Sequence, residues 1–204
     1  MMRICRTFPV ITLCLIAGCD SPPIPSYRAD QDTVSVRSAR ASTAMVVSAH
    51  PTASAAGVAT LRSGGNAADA AIATVATLNV TEPHASGLGG GGFCLFYDSQ
   101  RDSFFVIDYR ERAPGSVDRP LYYDAADTLR RRLEHGATAV ATPGAPAGWQ
   151  AIVDRFCTKP QSELVRPAIA AADTGFVLTE KQVSILMDHL SDIESDSAIA
   201  SLFL

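Results

Sequence analysis

The sequence carries little charge of either sign and few aromatic residues. Of its 204 residues, 19% are charged and 7% are aromatic, and the formal net charge is −4. Nucleic-acid-binding domains usually present a basic face, so this composition gives no support for a nucleic-acid partner. The one dense basic run is Arg130 to Arg132. Glu134 and His135 follow it, which favours a solvated surface turn over a phosphate site.

The N-terminal apolar run is too short to cross a bilayer comfortably. It extends from Phe8 to Gly18 after Arg3 and Arg6, and its length is typical of a signal-peptide core. Its end, Ile16 to Cys19, resembles a bacterial lipobox. This predicts cleavage before Cys19 and lipidation of that cysteine. An ordinary signal peptide and an apolar first helix are the alternatives.

These features predict a protein exported to the periplasmic side of a bacterial membrane and held there by a lipid anchor. Residues 1–18 are the predicted lipoprotein signal peptide. Residues 19–43 are a predicted flexible tether, because the segment from Asp20 to Thr33 is rich in Pro, Ser and Asp. Residues 44–204 are the predicted folded domain, and their number suits one domain or part of one.

Cysteine is scarce outside this leader. Of five cysteines, Cys5 and Cys14 lie in the predicted signal peptide and Cys19 is the predicted lipid site. Cys94 and Cys157 remain for the mature domain, and their apolar neighbours indicate buried free thiols. A disulfide between the two is the alternative in an exported protein. No cysteine and histidine spacing suggests a metal site, and no cofactor is predicted.

The order of predicted elements is a strand, two helices, a hairpin and further helices. Gly64-Gly65 is a typical helix stop, and Asn66 with Asp69 predicts a capping box on the second helix. This order indicates an α+β fold, because a doubly wound sheet needs alternating strands and helices. The predicted elements are a strand over Ala44–Ala49, a helix ending at Gly64, a helix from Ala67 to about Val80, hairpin strands Phe93–Asp98 and Ser103–Glu111, a helix near Ala147–Cys157, a helix from Ser162 to near Gly175 bent at Pro167, and a helix from Glu180 to about Leu190 capped by Thr179.

The stretch GLGGGGFCLF, from Gly87 to Phe96, contains the glycine spacing of dinucleotide-binding loops. In those loops the glycines follow a strand and open a helix, whose N-terminus meets the pyrophosphate. Here a predicted helix precedes the glycines and a predicted strand follows them. Phe93 also stands where a Walker loop would have lysine. We therefore expect the glycines to permit positive φ and close backbone packing where the chain enters a buried strand.

Four further stretches form a pattern in this order. They run from Met45 to Phe93, from Ile107 to Pro114 (IDYRERAP), from Ala141 to Trp149 (ATPGAPAGW) and from Leu164 to Glu180. Together they resemble the N-terminal part of the large subunit of the γ-glutamyltransferase family. The resemblance implies an N-terminal-nucleophile hydrolase fold, an αββα sandwich with two sheets between helical layers. This chain would hold an incomplete part of that sandwich.

The resemblance also implies an enzyme made as one precursor that cleaves itself into a large and a small subunit. In the family, the N-terminal threonine of the small subunit takes the γ-glutamyl group from glutathione or a related amide and passes it to water or to an amino acid. The implied partners are γ-glutamyl compounds and that small subunit. The alternatives are an acylase of the same family and a non-catalytic lipid-anchored module that binds amino acids or a partner.

One substrate-binding residue carries over by position. Spacing alone puts Arg110 at the end of a hairpin strand, where surface pairing with Asp108 or Glu111 is the simplest interpretation. The resemblance implies that Arg110 binds the α-carboxylate of the γ-glutamyl group, because a guanidinium can donate two parallel hydrogen bonds to a carboxylate. The neighbouring Arg112 lies outside the matching position.

The threonine-led motif that opens the family's small subunit does not occur in this sequence. No catalytic residue is therefore predicted in the chain, and we expect the 204 residues to be inactive alone. A fragment, a truncated gene product and half of a split protein are all compatible with this expectation. The histidines suggest no Ser-His-Asp triad and are interpreted as structural or surface residues: His50, His84, His135 and His189.

Overall fold

Helices and one hairpin make up the part of the chain described by the computed structural model, which covers residues 40–123 and 139–204. This mixture confirms the α+β prediction. The elements are α1 (Pro51–Arg62), α2 (Ala67–Thr81), β1 (Phe93–Asp98), β2 (Ser103–Asp108), α3 (Arg119–Tyr122), α4 (Ala145–Phe156), α5 (Gln161–Leu164), α6 (Arg166–Thr174), α7 (Glu180–Asp188), α8 (Leu190–Ser195) and α9 (Ser197–Phe203).

Several predictions concern residues outside these ranges. They are the signal peptide, the lipid site at Cys19, most of the tether, the basic run from Arg130 to Arg132, and His135. Within the described ranges, no helix is long and apolar enough to cross a membrane.

Helices α1 and α2 begin and end at local signals. His50 caps α1, because its Nδ1 accepts the backbone N–H of Thr52 at 3.2 Å. Gly64 follows the end of α1 with a φ of +86°, as expected for a glycine stop. The capping box on α2 is confirmed: Asn66 Oδ1 accepts the Asp69 N–H, and Asp69 Oδ2 accepts the Asn66 N–H.

The core lies around α2, which is buried on most of its surface. Small side chains let neighbouring helices approach closely; a Cβ at Gly57 in α1 would lie 2.2 Å from Thr74 Oγ1. The largest apolar side chains of the buried cluster come from α2, α4 and α5, and they are Ile72, Trp149, Ile152 and Leu164. Burial of such side chains is the main term that stabilises this arrangement.

The predicted hairpin is confirmed, with antiparallel register from Phe93 opposite Asp108 to Asp98 opposite Ser103. Strand β2 ends three residues earlier than predicted, at Asp108. Tyr109 makes the last backbone pair with Gly92, and the chain then leaves the hairpin, because Arg112 pairs with Thr142 instead.

The prediction of a buried strand after the glycines is wrong, because β1 is buried on one face only. Side chains alternate along both strands. One face, which includes Cys94, Phe96 and Ile107, packs on the helical core. The opposite face is exposed, and we call it the open face; its members are Phe93, Leu95, Tyr97, Phe104 and Val106.

The predicted strand over Ala44–Ala49 is also wrong, since the structure assigns no strand there. A strand needs a neighbour for its backbone hydrogen bonds, and β1 and β2 form a two-stranded sheet that does not include this segment. The segment still has a strand-like alternation, with Val46 half-buried against Gly57 and with Met45 and Val47 exposed.

The later helices follow the prediction with shifted boundaries. Helix α4 begins at Ala145, two residues early, with a proline in its first turn. The predicted bend near Pro167 is a break between α5 and α6 at Val165, and Gly175 ends α6 with a φ of +76°. Thr179 and Gln182 form the capping box of α7. The last predicted helix is interrupted at His189, and α8 and α9 follow it.

Cys94 and Cys157 are free thiols, as predicted, although each is half-buried rather than fully buried. Burial raises the pKa of Cys157 to about 12, with smaller contributions from Asp69 and Cys94. Burial also raises the pKa of Cys94. Both thiols therefore stay protonated at neutral pH, and neither has the character of a nucleophile.

Candidate functional site

Three segments converge just beyond β2, and their backbones hold one another in place. The first is the glycine segment Gly90–Gly92, the second is Tyr109–Arg112, and the third is the turn Thr142–Gly144. Gly92 and Tyr109 exchange two backbone hydrogen bonds of 3.3 and 3.0 Å, and Arg112 and Thr142 exchange two of 3.3 and 2.8 Å. The carbonyl of Gly90 accepts the N–H groups of Gly144 at 3.0 Å and Ala145 at 2.9 Å.

Glycine is required at this junction because the backbones approach too closely for a side chain. A Cβ at Gly91 would lie 2.4 Å from the carbonyl oxygen of Tyr109, and one at Gly144 would lie 2.0 Å from the same atom. The prediction of close packing is therefore confirmed. The prediction of positive φ is wrong for this run, because the described glycines with positive φ are Gly64 and Gly175. Within the run, Gly91 allows the glycine segment to pack directly against the backbone of Tyr109 and Glu111.

Arg110 lies between the two anchored residues Tyr109 and Arg112. Its backbone N–H donates to Asp108 Oδ1 at 3.0 Å. Its side chain is 68% exposed, and Nε lies 3.4 Å from Glu111 Oε2. The alternation of exposure along β2 continues through this segment, and Arg110, like Phe104 and Val106, is exposed.

The pair with Glu111 holds the Arg110 head group only weakly. The guanidinium is mostly exposed and contacts Glu111 through Nε alone at 3.4 Å, and a partly exposed ion pair with a single contact contributes about 1 kcal/mol or less. A ligand carboxylate could instead accept two parallel hydrogen bonds from the guanidinium. Arg110 also lines a cavity of about 290 Å³, together with Tyr109, Gly144 and Gly148. The arrangement is suited to binding one carboxylate near the end of the hairpin.

A second cavity, of about 420 Å³, lies against the other side of this segment and is lined by Glu111, Tyr109, Asn79 and Trp149. The Ser86 hydroxyl donates to Asn79 Oδ1, which orients the Asn79 amide. Asn79 Nδ2 and Glu111 Oε2 are buried and make no hydrogen bond within the described ranges. Asn79, Ser86 and Tyr109 were not predicted as cavity residues, because tertiary packing brings them together and the sequence pattern gives no signal of it.

The histidines have the structural or surface positions expected of them, as far as the structure describes them. His50 is buried as the cap of α1, whereas His84 and His189 are exposed. None of the three lines either cavity beside Tyr109. Among the described residues, no group of His, Cys, Asp or Glu is arranged to hold a metal ion.

The sequence model of the gamma-glutamyltranspeptidase family matches residues 53–204. The chain belongs to this family. It is 39% identical over 166 residues to the glutathione hydrolase proenzyme of Bacillus subtilis (strain 168), across 78% of this chain and 27% of that protein. It is 37% identical over 190 residues to the acylase ACY 1 proenzyme of Pseudomonas sp. (strain V22), across 89% of this chain and 34% of that protein.

A solved structure of the gamma-glutamyltranspeptidase family agrees with the fold described above. The crystal structure of Helicobacter pylori gamma-glutamyltranspeptidase superposes with a TM-score of 0.77 at 30% identity, over 81% of this chain and 48% of that one. The chain therefore has part of the N-terminal-nucleophile hydrolase fold of that family. It spans about a third of the length of the curated relatives it matches.

Proposed function

We propose that this chain is part of the large subunit of a γ-glutamyltransferase or glutathione hydrolase. Joined to the small subunit of its precursor, it would transfer or hydrolyse the γ-glutamyl group of glutathione and related amides. The observation that carries the proposal is Arg110, an exposed guanidinium on a backbone segment anchored at Tyr109 and at Arg112, in a member of the gamma-glutamyltranspeptidase family.

In this proposal Arg110 binds the α-carboxylate of the γ-glutamyl group. The ligand carboxylate replaces the 3.4 Å contact between Arg110 and Glu111 with a bidentate pair. Because the backbone of Arg110 is held on both sides, the bound group is fixed in position. Its γ-carbonyl then meets the nucleophile in a reactive orientation, which is the main rate advantage of such a residue.

The nucleophilic threonine would come from the small subunit, and the open face marks where that subunit packs. Phe93, Leu95, Phe104 and Val106 are each at least 62% exposed, and Arg110 is exposed two residues beyond the end of β2. Exposed apolar patches of this kind usually mark an interaction site. We infer that the remainder of the precursor covers the open face and delivers the nucleophile close to Arg110. The chain alone is then inactive.

An acylase acting on other amides is the second candidate, because the acylase ACY 1 relative matches 89% of this chain at 37% identity. The two candidates differ in the need for an α-carboxylate on the acyl group. We would complete the precursor by fusing this chain to the aligned C-terminal part of the Bacillus relative. Cleavage of γ-glutamyl-p-nitroanilide is then compared with cleavage of 4-aminobutanoyl-p-nitroanilide, which lacks only the α-carboxylate.

We expect the γ-glutamyl substrate to be preferred by about 100-fold in kcat/KM, the worth of a bidentate charged pair of roughly 3 kcal/mol. Replacement of the fused part's N-terminal threonine by alanine serves as the control and should abolish both activities. A folded, self-cleaved protein that leaves the γ-glutamyl substrate intact would refute the proposal. Equal use of both substrates would favour the acylase.

We also propose that the chain is exported and lipid-anchored at Cys19, on the strength of the lipobox-like sequence from Ile16 to Cys19. Two acyl chains or an equivalent second signal are needed for stable anchoring. Mass spectrometry of the mature N-terminus should find an acylated Cys19 as the first residue. Cys19→Ala should release the protein from the membrane fraction. An unmodified cysteine, or cleavage elsewhere, would rule the anchor out.

A further inference from the structure

The side chain of Tyr109 occupies a slot whose walls are glycines. A Cβ at Gly148 in α4 would lie 2.2 Å from Tyr109 Cγ and 2.4 Å from Tyr109 Cβ. A Cβ at Gly92 would lie 3.2 Å from both Cε2 and the hydroxyl oxygen of the same ring. The slot thus contacts the ring at its base and at its tip.

The main chain of Tyr109 is confined as tightly as its ring. Gly91 and Gly144 approach its carbonyl oxygen so closely that a Cβ at either position would lie within 2.4 Å of it. The Tyr109 N–H donates to the carbonyl of Gly92 at 3.0 Å. The closest atoms that a Cβ at Gly91, Gly144 or Gly148 would meet are the Tyr109 backbone and the base of its ring, which cannot move aside as a flexible side-chain end could.

Glycine at position 148 destabilises the helix in which it lies. It lies inside α4 (Ala145–Phe156), where glycine costs roughly 0.5 to 1 kcal/mol relative to alanine. The contact that requires glycine is therefore the ring of Tyr109. Burial raises the pKa of the Tyr109 phenol, with a smaller contribution from Cys94, so the ring stays neutral within the slot.

The slot matters for chemistry because Tyr109 directly precedes Arg110. A shift of the Tyr109 peptide moves the Cα of Arg110, and the guanidinium moves further because it lies at the end of a long side chain. Tyr109 and Gly148 also line the same 290 Å³ cavity as Arg110. A displacement of about 1 Å at a substrate-positioning group can cost about 100-fold in rate.

We propose that Tyr109, held in the slot of Gly92 and Gly148, is the positioning residue that makes the site selective for acyl groups with an α-carboxylate. The inference rests on the proposed function, because it assumes that Arg110 binds that carboxylate. The slot determines the position of the Arg110 guanidinium, and that position determines whether the enzyme prefers acyl groups with an α-carboxylate.

The test uses Gly148→Ala in the completed precursor, with Gly115→Ala as the matched control. A Cβ at Gly115 meets no atom within 4 Å, and Gly115 lines neither cavity beside Tyr109. For Gly148→Ala we expect the KM for γ-glutamyl-p-nitroanilide to rise about tenfold or more, while kcat/KM for 4-aminobutanoyl-p-nitroanilide changes by less than about twofold. Gly115→Ala should leave both values unchanged.

A second pair of variants keeps the test informative if Gly148→Ala does not fold. Tyr109→Phe keeps the ring in the slot and should preserve the preference for the carboxylate substrate. Tyr109→Leu removes the ring and should lower that preference about tenfold. Equal losses on both substrates would show a merely structural role and overturn the inference. So would an unchanged preference in Tyr109→Leu, or a preference lost in Tyr109→Phe. If the unmodified precursor does not cleave the γ-glutamyl substrate, the proposed function fails instead.

Discussion

Arg110 shows how one residue can be fixed at its backbone and free at its head group. Tyr109, directly before it, and Arg112, two residues after it, are each tied by two backbone hydrogen bonds to other segments. Its guanidinium is 68% exposed and lies 3.4 Å from Glu111 Oε2. Such a contact is easily exchanged for a ligand, because its net contribution to stability is small. A binding residue needs this combination of a fixed base and an available head group.

Arg110→Ala should raise the KM of the completed precursor for γ-glutamyl-p-nitroanilide about 100-fold, because the bidentate pair with the α-carboxylate is lost. The KM of Arg110→Lys should lie between those of the unmodified protein and Arg110→Ala, since an ammonium keeps the charge but cannot form two parallel hydrogen bonds. Arg155→Ala is the matched control, because Arg155 is exposed on α4 and lines neither cavity beside Tyr109. Steady-state kinetics that show equal effects for Arg110→Ala and Arg155→Ala would remove Arg110 from the site.

At the scale of elements, the N-terminus of α2 is fastened to the connection between α4 and α5. Asp69 has no exposed surface, and it accepts hydrogen bonds from Thr158 N at 3.0 Å, Thr158 Oγ1 at 2.6 Å and Lys159 N at 3.0 Å, besides its capping bond from Asn66. Asn66 Nδ2 in turn donates to the carbonyl of Phe156 at 2.6 Å. One carboxylate therefore both caps α2 and ties it to the segment after α4.

The pKa of Asp69 follows from two opposed effects. Burial is the largest single effect and would raise the pKa. The hydrogen bonds from Thr158, Asn66 and Lys159 together outweigh it and hold the pKa below its ordinary value of 3.8. A carboxyl whose pKa is lower in the folded state adds stability above its unfolded pKa, and that stability is lost as the pH falls through the folded pKa.

Asp69→Asn should lower the free energy of unfolding at pH 7 by about 3 kcal/mol, because an amide cannot accept all four hydrogen bonds and leaves buried donors unsatisfied. The difference from the unmodified chain should shrink below about pH 4, where the carboxylate is protonated in the unfolded state. Asp173→Asn, at an exposed position on α6, is the control and should have little effect. Urea unfolding at several pH values would measure this, and a constant difference down to pH 2 would contradict it.

At the scale of the whole molecule, the hairpin is half of a layered arrangement. One face of β1 and β2 packs on the helical core, and the open face carries five exposed apolar or aromatic side chains. A lone two-stranded hairpin is marginally stable in water, and it needs packing on its faces. The helices supply one face in this chain. The proposed partner subunit would supply the other.

Leu95→Lys should therefore prevent assembly of the completed precursor. Leu95 lies on the open face opposite Val106, and an unpaired ammonium buried there costs several kcal/mol. We expect the yield of soluble, self-cleaved protein to fall severalfold. Gln100→Lys, in the exposed turn of the same hairpin, should leave the yield unchanged. Normal self-cleavage and an unchanged Tm in Leu95→Lys would show that the open face stays in solvent.

The sequence by itself determined the features that depend on contacts a few residues apart. The stop at Gly64, the capping box at Asn66, the cap at Thr179 and the hairpin were predicted correctly, apart from the end of β2. Each rests on hydrogen bonds or backbone preferences within one turn or one hairpin. The substrate-binding role of Arg110 is predicted from the family resemblance, because spacing alone favours a surface ion pair.

Only the tertiary structure decided which distant residues meet. Thr158 reaches Asp69 across 89 positions, and Gly148 reaches Tyr109 from another element. The segment Ala44–Ala49 has the composition of a strand but lacks a neighbour, and the hairpin is buried on one face only. Packing between elements fixes such contacts, and it leaves no local pattern in the sequence. For the glycines from Gly87 to Gly92, the sequence predicted bare backbone, whereas the structure alone showed that Gly91 and Gly92 are the two that approach Tyr109.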